Sequence, residues 1–214
     1  PLKKQKLQVR ISVGQYELFS QRADCRGGVS EWNEFLQSEE MQMPADISQI
    51  PDIFVHLCKG KGKDLKAICF ARYKAADIIK TGFRAPAEWI LLGEDKSIDA
   101  LLDGEFPGNV LVKLGFGEPH DALATADEWT SALQRVKHRT PYQLRVHVYQ
   151  GHDLPAADIN GLLDPYLRIN FLGETKRSSE KFKTRYPLYY ETVTFDCQLP
   201  EREFAPQVNV QLWD

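Results

Sequence analysis

The sequence of 214 residues predicts a mostly β fold: an antiparallel β-sandwich, incomplete at its C-terminal end, preceded by a small β-rich unit and a linker helix. Three observations carry this. Apolar residues recur with a period of two, as in Leu7, Val9, Ile11 and Val13, which sets one face of a segment on a core and the other in water. Gly and Pro punctuate the joins between such segments. No helical pattern alternates regularly with them, which disfavours a doubly wound parallel sheet.

Along the chain, residues 7–13 form the first expected strand. Residues 31–41 place Trp32, Phe35 and Leu36 on one helical face and predict a helix, with Pro44 beyond it. The apolar runs 52–58, 67–73 and 110–116 predict more heavily buried strands, and Gly60-Lys-Gly-Lys63 reads as a hairpin tip. Thr125-x-x-Glu128 has the spacing of a capping box, in which two side chains satisfy two otherwise unpaired amides at a helix start. Trp129, Leu133 and Val136 follow at helical intervals, Lys137, His138 and Arg139 crowd the end, and Pro141 stops it. This aromatic stripe reads as a packing face. Period-two alternation returns in Leu144, Val146 and Val148, in Leu167, Ile169 and Phe171, in Val193, Phe195 and Cys197, and in Val208, Val210 and Leu212.

The chain thus divides into a β-rich unit over 1–118, a linker helix over 119–140 and a sandwich over 141–214. The last part is shorter than the roughly 100 residues of a complete sandwich. Its final strand ends on Asp214, so closing strands are expected beyond it.

Composition narrows the function. Apolar residues make up 43% and charged residues 27%, values typical of a folded globular chain. No apolar run approaches the roughly 18 residues that span a bilayer. Lys and Arg number 27 against 30 Asp and Glu, so no whole-molecule basic field exists for nucleic acid. Cys25, Cys58, Cys69 and Cys197 form no Cys-x-x-Cys pair and read as small buried hydrophobes in a reducing cytosolic compartment. His56, His120, His138, His147 and His152 lack zinc spacing. No nucleophile elbow, phosphate loop or dinucleotide fingerprint occurs, and the acids Asp95, Asp99, Asp103 and Glu105 read as a solvated loop, so an enzyme is not expected.

The informative stretch is 152–168. A strand feeds a loop holding Asp158 and Asp164, with Asn160-Gly161 as a turn between them and Pro165 opening the next strand. Carboxylates crowded on one loop repel unless a cation lies between them, and a flexible oxygen cage suits calcium. Asp214, at the end of another strand, supplies a third carboxylate if the fold brings both loops to one end. A structural role, with the aspartates capping local amides, is the alternative. Leu162 and Leu163 give the loop an apolar tip able to enter a bilayer interface or pack on a neighbouring domain. Lys176, Arg177, Lys181, Lys183 and Arg185 crowd the expected hairpin after the strand that carries Arg168, diluted by Glu174 and Glu180; a lipid site and a merely solvated hairpin both fit.

Residues 144–214 resemble a C2 domain through Leu154-Pro155, Asp158, Asn160-Gly161, Asp164-Pro165-Tyr166, Pro187-x-Tyr189-x-Glu191-x-Val193-x-Phe195 and Trp213-Asp214. The resemblance implies a phospholipid-docking sandwich in which Asp158, Asp164 and Asp214 take calcium-binding positions, and in which the basic residues face phosphoinositide or phosphatidylserine head groups. Upstream, Ile50-Pro-Asp-Ile-Phe-Val-His-Leu-Cys58, Lys66-Ala-Ile-Cys-Phe-Ala-Arg72 and Asn109-Val-Leu-Val-Lys-Leu-Gly-Phe-Gly117 resemble the central region of ferlins. Val9-Arg-Ile-Ser-Val-Gly-Gln-Tyr16 is similar to the strand that ends an earlier ferlin C2 unit, making 1–19 a candidate for that role. The resemblance implies a parent with several C2 domains, tail-anchored by a helix outside this chain on the cytoplasmic face of a vesicle or the plasma membrane. Its expected work is calcium-regulated membrane fusion, exocytosis or repair, with sister C2 domains and fusion machinery as partners and no nucleic acid. A calcium-independent C2 module packing on sister domains is the alternative.

Overall fold

The computed structural model describes residues 5–94, 106–155 and 161–214. The chain forms two compact units, one of Pro1–His138 with Pro200–Phe204, the other of Arg139–Leu199 with Ala205–Asp214. Among the described residues all strand pairs are antiparallel, as the period-two alternation predicts.

The first unit contains, in chain order, β1 (Lys6–Val13), β2 (Tyr16–Phe19), β3 (Ala23–Asp24), β4 (Ile53–Lys59), β5 (Lys66–Tyr73), α1 (Ala75–Thr81), β6 (Glu88–Leu91), β7 (Gly93–Glu94), β8 (Asn109–Val112), α2 (Pro119–Ala124) and α3 (Ala126–Lys137). One sheet runs β2-β1-β4-β5-β7, with β3 also on β1, while β6 and β8 pair separately. Leu7 and Val9, Val55 and Leu57, Ile68 and Cys69, Ile90 and Val110 close on one core, so residues of both sheets share it. Cys25, Cys58 and Cys69 are buried free thiols. Gly60, at the hairpin between β4 and β5, has φ +99, and a Cβ there would lie 2.1 Å from the Asp64 carbonyl oxygen. Only glycine fits that turn.

Three expectations change here. Residues 31–41 are not helical: Asn33 takes φ 49, a left-handed conformation that a right-handed helix does not pass through. Trp32 packs instead on the core, and Phe35 meets the Trp129 ring edge-on at 5.4 Å. Residues 119–140 form two helices broken at Thr125, whose hydroxyl donates back to the Asp121 and Ala122 carbonyls at 3.2 Å rather than capping α3. A threonine following a helical turn can reach back to it, and that bond competes with the cap. α3 is fastened within the first unit: the Trp129 indole donates to the Phe83 carbonyl at 3.1 Å, and Arg135 binds Glu201 at 2.6 Å and Glu203 at 2.5 Å. The expected strand 110–116 stops at Val112. The short elements α1, β2, β6 and β7 have too few residues to show a period.

The second unit contains β9 (Thr140–Gln150), β10 (Tyr166–Phe171), β11 (Glu174–Arg177), β12 (Leu188–Leu199) and β13 (Asn209–Trp213). β9 pairs with β12, and β11-β10-β13 form the second sheet. Val148, Tyr189, Val193 and Phe195 from one sheet pack on Ile169 and Phe171 of the other, a sandwich core. Leu172 (φ 47) and Gly173 (φ 76) make the two-residue turn between β10 and β11, the left-handed pair that suits strand twist. On β13 the alternation misleads: Val210 is 49% and Leu212 40% exposed. They share a face with Ile169 and Leu167, their cross-strand partners, but do not join the core cluster in which those two residues pack. Among the described residues no helix is long and apolar enough to cross a membrane.

Candidate ion and phospholipid docking site

The pairing of β10 with β13 decides where the aspartates meet. Tyr166 lies opposite Trp213, so Asp164, just before β10, and Asp214, just after β13, emerge at the same end of the sheet. The Asp214 Oδ1 accepts a hydrogen bond from the Asp164 backbone amide at 2.5 Å. The Asp164 Oδ1 accepts in turn from the Lys183 amide at 2.6 Å. Two charge-assisted bonds therefore stitch together the segment before β10, the end of β13 and the loop between β11 and β12.

Of the three expected carboxylates, Asp164 and Asp214 are thus brought together, and Asp158 lies outside the described residues, as do Asp95, Asp99, Asp103 and Glu105. Among the described residues no cluster of three or more His, Cys, Asp or Glu is arranged to hold a metal. Hard carboxylate oxygens fit calcium rather than a soft or redox metal, and calcium takes roughly 6–8 of them. Asp164 and Asp214 fit as part of such a set.

The basic residues do not form one patch. Successive residues of a strand point to opposite faces. Arg177 lies across from Arg168, and on that face Arg168 sits 4.5 Å over the Trp213 ring and Arg177 5.1 Å over Tyr166. Lys176 lies across from Ile169 on the core side, with its ammonium 4.8 Å from the Phe195 ring centre and donating to the Thr194 carbonyl at 2.6 Å. Its stem covers core edge. Lys181, Lys183 and Arg185 are not on the hairpin but in the loop after β11, where the Arg185 Nε donates to the Leu154 carbonyl at 2.7 Å. Arg177 and Lys183 are exposed, and Arg168, Lys176, Lys181 and Arg185 are half-buried.

The expected apolar tip is corrected as well. Leu163 is 2% exposed and Leu162 half-buried. The Leu163 carbonyl accepts from the Thr184 amide at 2.9 Å, which draws this segment against the neighbouring loop. On that neighbouring loop Phe182 is 71% exposed.

Residues of the Pro-x-Tyr-x-Glu run turn out to build the site's frame. Buried Tyr189 donates from its hydroxyl to the Pro165 carbonyl at 3.0 Å. The Glu191 carboxylate accepts from the Ser179 amide at 2.9 Å and from its hydroxyl at 3.0 Å. Ser178 Oγ accepts the Leu167 amide at 2.8 Å. The Asp153 carboxylate accepts from the Tyr186 hydroxyl at 2.6 Å, which holds that phenol above its usual pKa. In the sequence Tyr189 and Glu191 are only letters of a motif; that they tie β12 to the segment before β10 and to the 178–187 loop needs the fold.

Residues 142–214 match the family described as C2 domain. Over 186 residues, 77% of the chain, the sequence is 26% identical to Fer-1-like protein 4 of Mus musculus, covering 9% of that protein. Over 72 residues it is 33% identical to Ferlin 1 of Toxoplasma gondii, covering 33% of this chain and 5% of that one. Among solved structures, a tandem pair of C2 domains from Extended-Synaptotagmin 2 aligns over 98% of this chain and 64% of its own, at 16% identity and a TM-score of 0.38. Residues 142–214 are thus similar to C2 domains, the alignment to Fer-1-like protein 4 runs across both units, and the chain spans less than a tenth of either ferlin.

Proposed function

We propose that this chain is a calcium-regulated phospholipid-docking segment of a ferlin-like protein that acts in vesicle–membrane fusion, exocytosis or membrane repair. It is read as a binding region, not an enzyme. The observation that supports it is the junction of Asp164 and Asp214 at one end of the β10–β13 pair. Two carboxylates at a surface pole repel an anionic bilayer. Bound calcium would supply the positive charge that cancels this and open coordination positions for lipid phosphate oxygens. Asp164 and Asp214 would hold it, with Asp158 in the same loop as the expected third ligand. Exposed Arg177 and Lys183 add attraction to phosphatidylserine or phosphoinositide, at about 1 kcal/mol for each cation near an anionic leaflet. The parent protein is read as tail-anchored on the cytoplasmic face of a vesicle or plasma membrane.

A second reading also has its observation. Asp164 and Asp214 each already accept a backbone amide, the work of a structural C2 module that packs on sister domains without an ion. Sedimentation of the chain with phosphatidylserine vesicles separates the two. The first reading expects binding in calcium and release by a chelator; no binding in either condition leaves the structural module.

A further inference from the structure

Phe182 stands out in the second unit: it is 71% exposed and lies between Lys181 and Lys183 in the chain. An aromatic ring largely presented to water is ordinarily a loose loop residue, but this loop is tied on both sides of the ring. The Lys181 amide donates to the Pro165 carbonyl at 3.1 Å, the Lys183 amide to the Asp164 carboxylate at 2.6 Å, and the Thr184 amide to the Leu163 carbonyl at 2.9 Å. Lys183 takes φ 51, which reverses the chain just after the ring. The Lys181 ammonium is 5.7 Å from the Tyr189 ring centre. The backbone is therefore held against the Asp164 loop while the ring is left out of the core that Tyr189 and Phe195 fill.

We infer that Phe182 is the side chain this unit inserts into the interfacial layer of an anionic phospholipid bilayer. Charge complementarity chooses the occupant: an aromatic flanked by lysines matches a surface with an apolar layer beneath anionic head groups, whereas a protein groove would have to desolvate both ammonium groups. Holding the loop before binding lowers the ordering cost of insertion. Asp164 links the ring to the proposed ion site, since the carboxylate that would face the ion also holds the amide next to Phe182. The inference rests on the docking reading above and adds the residue that enters the lipid.

The test uses the 214-residue chain with phosphatidylcholine–phosphatidylserine vesicles in calcium. Phe182→Ala and Phe182→Trp are compared with wild type, with thermal melts to confirm an unchanged fold. Vesicle affinity of Phe182→Ala is expected to fall roughly tenfold. The added emission of Phe182→Trp, over the wild-type background, is expected to be quenched by brominated acyl chains. Unquenched emission from vesicle-bound Phe182→Trp overturns the inference whatever the alanine variant does, and leaves the docking reading standing. Wild type that does not bind these vesicles overturns both.

Discussion

Asp214 and Asp164 are joined directly: fifty positions apart in the chain, the carboxylate of one accepts the backbone amide of the other. Asp164 passes the connection on to the Lys183 amide. Each aspartate therefore serves as charge and as acceptor, and substitution can part the two roles. Asp164→Asn keeps a carbonyl oxygen for Lys183, so the second unit should unfold within about 0.5 kcal/mol of wild type in urea. Asp164→Ala leaves that amide without its acceptor and should cost about 1–2 kcal/mol. Both should lose calcium-dependent vesicle binding. Asp164→Asn binding as wild type does would mean the charge at this position serves only the loop.

Strand alternation separates two neighbouring cations. Arg177→Ala should weaken binding to anionic vesicles about fivefold with little change in stability, since its guanidinium is exposed on the outer face. Lys176→Ala should do the reverse: it uncovers the edge of Phe195 and removes the bond to the Thr194 carbonyl, costing about 1–2 kcal/mol. Vesicle titration and urea unfolding of both variants check this, and equal losses of affinity would place the two side chains on one lipid-facing surface.

The long strands were legible because period-two alternation survives when one face is buried, as Leu7, Val9 and Val13 show in β1. That Asp164 and Asp214 meet could be stated only as a condition, because pairing register is invisible in a single sequence; Tyr166 opposite Trp213 supplies it. Alternation also misled where burial fails, at Val210 and Leu212. It also parts Lys176 and Arg177, neighbours in one basic cluster of the sequence, onto opposite faces of β11. The helix expected over 31–41 gave way to one left-handed residue, Asn33, which a pattern of Trp32, Phe35 and Leu36 does not reveal.

Tyr189 tests the frame. Tyr189→Phe removes only the hydroxyl that donates to the Pro165 carbonyl, and that carbonyl keeps the Lys181 amide as a donor. The cost should be about 1 kcal/mol in the second unit's unfolding transition. No loss of stability would show that the loop is held without it.

The first unit should weaken in alkali. Burial pushes the Cys69 thiol up to about 12 from an ordinary 9.0, with the neighbouring Cys58 adding to it. Burial, then the nearby charge of Glu88, push the Tyr73 phenol to about 12 from 10.0. Both groups stay protonated when folded and ionise earlier when unfolded, so their contribution is full below pH 9.0 and is lost as pH rises toward about 12. Urea midpoints of the first unit measured across that window should fall, and Cys69→Ala should flatten the fall. A midpoint that holds steady to about pH 11 in wild type would contradict this burial.

The central claim, that Asp164 and Asp214 form one ion-responsive pole, is tested most directly by amide resonances during a calcium titration. The Asp164 and Lys183 amides donate to the two carboxylates, so both resonances should move together and saturate by about 1 mM calcium, and should stay still in Asp214→Asn. Resonances unmoved at that concentration in wild type, in a spectrum where Asp214→Asn alone displaces them, would contradict the account and leave these aspartates as backbone fasteners.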